Sequence, residues 1–240
     1  LTEDYRNRLY ARYVDTHLRE VTVDRLKLRA PHLKHLIRQH FPKERSAQIL
    51  ELGCGHGAML YFAQHAGYTN MIGVDVSPEQ VEAAAKLGID GVHQGDLLKT
   101  LKSHADGSLD MVIAFDVIEH LTKNELLDLT DEVQRVLKRG GSWLIHVPNA
   151  ASPFFGRIRY GDYTHEQAFT QSSLGQLLRA SGFSNIRCYE ETPIIHNVTS
   201  LVRWLLWKTV RTTFRLILAA ETGSGNEMFS QNLLAVADKS

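Results

Sequence analysis

The chain has 240 residues, 43% of them hydrophobic, with 27 basic side chains balanced by 27 acidic ones and only two cysteines. That length and apolar content support one good-sized core and leave little room for two full domains, and the charge balance gives no overall electrostatic case for a nucleic-acid partner. Cys54 and Cys188 are too few for a disulfide framework and fit a reducing compartment; the charged opening LTEDYRNRLYARYV lacks the apolar centre of a secretion signal, so a cytoplasmic location is expected.

In chain order, a helical arm over about residues 5–39 comes first, giving an expected division into an arm (1–45) and a main domain (46–240). Strands are expected at 48–52, 71–75, 91–94, 109–115, 142–148, 186–190 and 233–237, each an apolar run bounded by turn residues. Between them, Ser77-Pro78-Glu79-Gln80 supplies a cap, a first-turn proline and a capping-box glutamine. Thr122 and Glu125 repeat the capping-box spacing, and Gly140-Gly141 reads as the stop of the helix that Thr122 begins. Strands alternating with helices predict an α/β fold with a mostly parallel sheet covered on both faces. A loop at 149–170 and a long insertion at 192–226 stand outside the alternation.

The stretch ILELGCGHGAML, residues 49–60, ends a strand in closely spaced glycines and then turns helical. Such a turn lets a ligand press against bare main chain, with amides and a helix N-terminus aimed at it, in the crevice at the carboxyl ends of strands. A tight strand-to-helix turn with no ligand is the alternative. Three strand ends weigh against it: Asp75 closes the second strand, where a carboxylate can accept both hydroxyls of a ribose, Gly95-Asp96 closes the third, and Phe115-Asp116 closes the fourth.

With these residues in place, the sequence over about 47–238 resembles the class I S-adenosylmethionine-dependent methyltransferases: ELGCGHG is similar to their first motif, GVDVS to the segment with the ribose-binding acid, and QGD to the adenine-side acid. The resemblance implies a Rossmann-like doubly wound sheet of seven strands with the last antiparallel. It implies S-adenosyl-L-methionine as cofactor, held by Glu51, Gly53, Cys54, Gly55, Gly57, Asp75, Val76, Gly95, Asp96, Leu97 and Phe115. A nicotinamide-binding turn fits less well, because Ala58 takes the sixth position of G-x-G-x-x-G. After the fourth strand stands FDVIEHL, where many amino-group methyltransferases have Asn/Asp-Pro-Pro-aromatic, which argues for oxygen as the acceptor.

An alcohol needs a base or a metal to expose its lone pair. Asp116, Glu119 and His120 would share one face of a helical turn, and hard oxygens with one imidazole suit Mg²⁺ or Mn²⁺. The plain reading makes the same spacing a capping box with His120 on the surface. The segment RYGDYTHEQAFT adds His165 and Thr170, and the combination resembles the metal site of small-RNA terminal 2′-O-methyltransferases and, in part, ubiquinone-pathway O-methyltransferases. It implies Asp116, Glu119, His120 and His165 as metal ligands and Glu119, His120 and His165 as catalytic; Asp116 departs from the pattern, being one methylene short of glutamate. His146 reads as a packed histidine.

The arm DYRNRLYARYVDTHL, read either as a helix packed across the sheet or, through Tyr5, Tyr10, Arg12 and Tyr13, as part of a lid over the acceptor, and the loop VPNAASPFFGRIRYGDYTHEQAFT are similar to methyltransferases that accompany bacterial surface-polysaccharide enzymes. That implies a sugar or glycan acceptor, free or lipid-linked. In the insertion, a wheel sets Arg203, Lys208, Arg211 and Arg215 on one side of a wide apolar face bearing Trp204 and Trp207, which suits either a membrane interface over 198–220 or a homodimer contact. No apolar span is long enough to cross a bilayer. The expected function is O-methylation of a sugar hydroxyl at the inner face of the cytoplasmic membrane. Catechol or quinone-pathway O-methylation, a catalytically silent cofactor-binding partner and RNA methylation are the alternatives.

Overall fold

A computed structural model of the chain describes Leu9 and residues 22–240. The tyrosines and arginine assigned to a lid lie outside the described residues. Seven strands form one sheet: β1 (Ile49–Leu52), β2 (Met71–Asp75), β3 (Val92–Gln94), β4 (Leu109–Phe115), β5 (Leu137–Pro148), β6 (Phe183–Glu190) and β7 (Asn232–Lys239). The order is β3-β2-β1-β4-β5-β7-β6, with β7 antiparallel to both neighbours and every other pairing parallel. This is the expected Rossmann-like sheet, and its strand order reverses between β1 and β4, where ligands bind in open α/β sheets.

Helices cover both faces. One layer buries Leu50, Leu52, Val112, Ala114, Trp143 and Ile145 against α4 (Leu97–Ser103), α5 (Lys123–Val136) and α7 (Gln171–Ala180). The other buries Ile49, Met111, Ile113 and Leu144 against α1 (Val23–His40) and α2 (Ala58–His65). Alternate residues of β1 and β4 therefore face opposite layers, and with both faces covered the strands read as continuous apolar runs. Helix α1 joins the core through Leu26, Leu33, Leu36 and Ile37.

Two local readings are corrected. Helix α5 has its capping box but stops at Val136. Leu137 pairs with Leu109 and Ser142 with Met111, so Gly140-Gly141 sit in a bulge within β5 instead of ending a helix. On α3 (Pro78–Lys86), Ser77 makes no side-chain cap; Gln80 is buried beside the glycine turn and does not reach back to it.

Candidate active site

The glycine turn after β1 is shaped by packing as much as by openness. Gly53 has φ +63°, and a Cβ there would come within 2.4 Å of Val117 Cγ2, so no larger residue fits beneath the turn that follows β4. The turn is also tied to Asp75, whose Oδ2 accepts from the Gly55 amide (2.8 Å) and whose Oδ1 accepts from Ser77 (2.9 Å). With the Val76 amide also beside it, the carboxylate still keeps acceptor capacity for a ligand hydroxyl. Burial raises the Asp75 pKa, with those amides pulling the other way.

Glu51 is buried at the end of β1, where desolvation, opposed by Arg29 and assisted by Asp75, pushes it up to about 8. Its Oε2 and the buried Ser77 Oγ have no hydrogen-bond partner in the protein. Orphaned polar atoms around a bare turn fit a polar ligand, and a nucleoside with an amino-acid tail would satisfy them. Cys54 is inert as a thiolate because burial raises its pKa far above the ordinary value. Gly95 is fixed by its amide on the Asp75 carbonyl (2.9 Å), and Val76 is partly exposed beside it. Asp96 caps α4 by accepting from the Lys99 amide (2.8 Å), with Leu97 opening that helix. Phe115 stacks on His146 with centroids 3.9 Å apart and lies under the Arg29 guanidinium.

Beyond β4 the chain makes a single 3-10 turn, Ile118–His120. Glu119, His120 and His165 each offer one ligand atom there, all within 4.8 Å of one another. The loop that delivers His165 is stitched to this turn, since the Glu166 and Gln167 amides both donate to the Glu119 carbonyl (2.8 Å each) and Asn149 bridges to Phe169. Glu119 is buried, and neither carboxylate oxygen takes a hydrogen bond within the protein. Desolvation raises its pKa well above the usual range, with Asp116 adding to the shift. A cation would remove both penalties.

The two histidines are each fixed through Nδ1. Thr164 Oγ1 donates to Asp162 Oδ1 (2.6 Å), so that oxygen can only accept from His120 Nδ1 (2.8 Å). His165 Nδ1 donates to the Ile158 carbonyl (3.1 Å). Each ring therefore presents the Nε2 lone pair, the form a metal takes. Burial, then the neighbouring His165, lowers His120 to about 4, so it is neutral at physiological pH.

Asp116 does not join this group. It takes a left-handed backbone conformation (φ 57°) and turns its side chain to His146, with Oδ1 2.6 Å from Nδ1. His146 Nε2 donates in turn to Glu191 Oε2 (3.0 Å). Burial alone would lower His146, but the two carboxylates outweigh it and hold the imidazolium up to about 10, while Glu191, though raised by burial, is carried down to about 2 mainly by His146. Asp116 is thus a partner of a buried cation, and the residues left to hold an ion would offer one carboxylate and two imidazole nitrogens, which suit a borderline ion such as Mn²⁺ or Zn²⁺ better than Mg²⁺. Thr170 caps α7 in a capping box with Ser173 and is not a ligand.

A cavity of about 370 Å³ opens over Asp116, Glu119, His120 and His165, with Arg157 and Asn232 on its wall. Sequence reasoning missed Arg29, the Asp162–Thr164 support of His120 and the Glu191 end of the His146 bridge. Asp162 stood in the quoted loop, but its role needs the fold.

A family model described as a methyltransferase domain matches residues 24–187. A ribosomal protein L11 methyltransferase of Symbiobacterium thermophilum is 29% identical over 99 residues, which cover 41% of this chain and 31% of that one. A Mycolicibacterium smegmatis protein named "Probable S-adenosylmethionine-dependent methyltransferase" is 29% identical over 136 residues, 56% of this chain and 51% of that one. The chain thus spans a third to a half of the length of these relatives. A solved S-adenosylmethionine-dependent methyltransferase from Archaeoglobus fulgidus superposes with a TM-score of 0.65 at 21% identity, covering 98% of this chain and 100% of that one, which shows the shared fold.

Proposed function

The chain belongs to the family of S-adenosylmethionine-dependent methyltransferases, and from that premise we propose that it methylates a hydroxyl oxygen of a sugar, in a bacterial surface glycan or its lipid-linked precursor, with a divalent ion at Glu119, His120 and His165. The observation that carries the proposal is that three-residue cluster, with a buried carboxylate lacking any partner and two rings turned Nε2-first. Bound there, Mn²⁺ would supply Lewis acidity that makes a hydroxyl easier to deprotonate.

The chain's own residues do the rest. The turn Gly53–Gly57, Asp75 and Glu51 would hold the methyl donor, and Asp96, Leu97, Val76 and Phe115 would line its nucleoside side. Asp116, half exposed at the cavity, can accept a hydrogen bond from a neighbouring hydroxyl while His146 fixes its position. The wall bears Asp116, Arg157, Asp162, Gln231 and Asn232, which match a polyol better than a flat apolar quinone ring.

The test is a panel of soluble sugars, glycans and catechols incubated with protein, Mn²⁺ and labelled methyl donor, read by mass spectrometry. Label on a sugar oxygen supports the proposal. Label confined to catechols moves the protein to that class, and label on nitrogen alone defeats the oxygen assignment.

A further inference from the structure

The insertion forms α8 (Val198–Thr222), capped by Asn197, whose Oδ1 accepts from the Ser200 amide (2.8 Å), and closed by Gly223 at φ +80°. At 1.5 Å per residue it is about 37 Å long. Its inner side is tied to the body: Arg211 pairs with Glu190, Arg215 Nε donates to the Gly225 carbonyl (2.8 Å), and Phe214 meets Phe229. Of the four cations that the wheel set on one side, Arg211 and Arg215 therefore face the protein, and Trp207, whose Nε1 is buried, lies off the exposed apolar face on which the wheel sets it.

The outer side is left apolar. Val202, Leu205, Leu206, Val210, Leu216 and Ile217 are exposed there, Leu206 by 62% and Leu216 by 67%. At 100° per residue no charged side chain falls within their arc. The threonines among them send their hydroxyls back to the helix: Thr209 to Leu205 O (3.3 Å), Thr212 to Lys208 O (2.8 Å) and Thr213 to Thr209 O (3.2 Å). None of these donors is lost by leaving water. Exposed Arg203 stands at one border and Lys208, over the Trp204 ring, at the other.

We infer that this face docks in the plane of an anionic lipid surface. Among the described residues no helix is long and apolar enough to cross a membrane, so α8 would lie along it. Anionic headgroups complement Arg203 and Lys208, and exposed Glu221, on the Arg203 border, lies beyond the last apolar residue, Ile217. A parallel second copy would set the two cations against each other, and an antiparallel one, which would bring Arg203 near Glu221, is the case that sedimentation reads. The helix leaves the sheet after β6 and returns at β7, whose first residue, Asn232, lines the cavity. Docking itself does not depend on what that cavity methylates.

The test is flotation of the full chain with phosphatidylglycerol/phosphatidylcholine vesicles and with phosphatidylcholine alone, beside sedimentation velocity without lipid. The protein is expected to float with the mixed vesicles. Arg203→Gln with Lys208→Gln should weaken that binding about twenty-five-fold, since each cation near an anionic surface is worth about fivefold, and change little on phosphatidylcholine. Leu206→Asp with Leu216→Asp should lose roughly a hundredfold on both; circular dichroism checks the fold, and Leu206→Gln with Leu216→Gln repeats the test if the aspartates unfold it. Failure of the unaltered chain to float, or flotation unchanged in the folded apolar variants, overturns the inference. A dimer that the apolar variants dissociate, with no vesicle binding, gives the face to a second copy.

Discussion

Replacing His146 by phenylalanine keeps a ring to stack on Phe115 and removes the charge between Asp116 and Glu191. The ring is almost fully buried, at 3% exposure, and its pKa rises from 6.5 to about 10. At about 1.4 kcal/mol per pH unit this shift has an upper limit of roughly 5 kcal/mol. Because Asp116 is 50% exposed and Glu191 27%, water screens both carboxylates in the variant, and a loss of about 2–4 kcal/mol is expected. For a chain of this size that lowers Tm by roughly 5–15 °C. The sign is fixed by linkage: a raised histidine stabilises fully below its unfolded value of 6.5, and the contribution is lost as pH rises toward about 10. Urea unfolding at pH 6, 8 and 10 should therefore show the unaltered protein falling toward the variant. A gap between the two that is constant from pH 6 to pH 10, or smaller than about 1 kcal/mol throughout, would refute the buried imidazolium.

Three other outcomes follow from the geometry. Gly53→Ala should destabilise by about 2–3 kcal/mol, combining a left-handed φ with the 2.4 Å approach to Val117, and calorimetry should show weaker cofactor binding as the turn shifts. Asp75→Ala should weaken cofactor binding about tenfold or more, from about 1.5–3 kcal/mol of charge-assisted hydrogen bonds, so unchanged binding by calorimetry defeats that role. Thr164→Val removes the hydroxyl that accepts from His120 Nδ1 and leaves only the Thr164 main chain beside that ring; Mn²⁺ affinity should fall about tenfold or more with cofactor affinity intact, and equal Mn²⁺ titrations would remove the Thr164 hydroxyl from the positioning role.

The strand ends were readable where pattern is local. Met71–Asp75 and Leu109–Phe115 match the expected spans because short apolar runs end at a turn or an acid. Gly140-Gly141 misled because helix stops and β-bulges use the same residue, and only the pairing of Leu137 with Leu109 and of Ser142 with Met111 tells them apart. Asp116 misled for a longer-range reason. Its spacing to Glu119 suits a helix, but its partner is thirty residues away on β5, and its positive φ takes it out of the turn. On α8 the wheel separated the two sides without saying which one the sheet would claim; Glu190 and Phe229 decided that.

The most direct measurement is methyl transfer to a sugar acceptor after exhaustive chelation, followed by return of Mn²⁺, in the unaltered protein and in Glu119→Gln and His165→Ala. Chelation is expected to abolish transfer, Mn²⁺ to restore it only in the unaltered protein, and both variants still to bind S-adenosylmethionine. Undiminished transfer in excess chelator would contradict a metal at Glu119, His120 and His165.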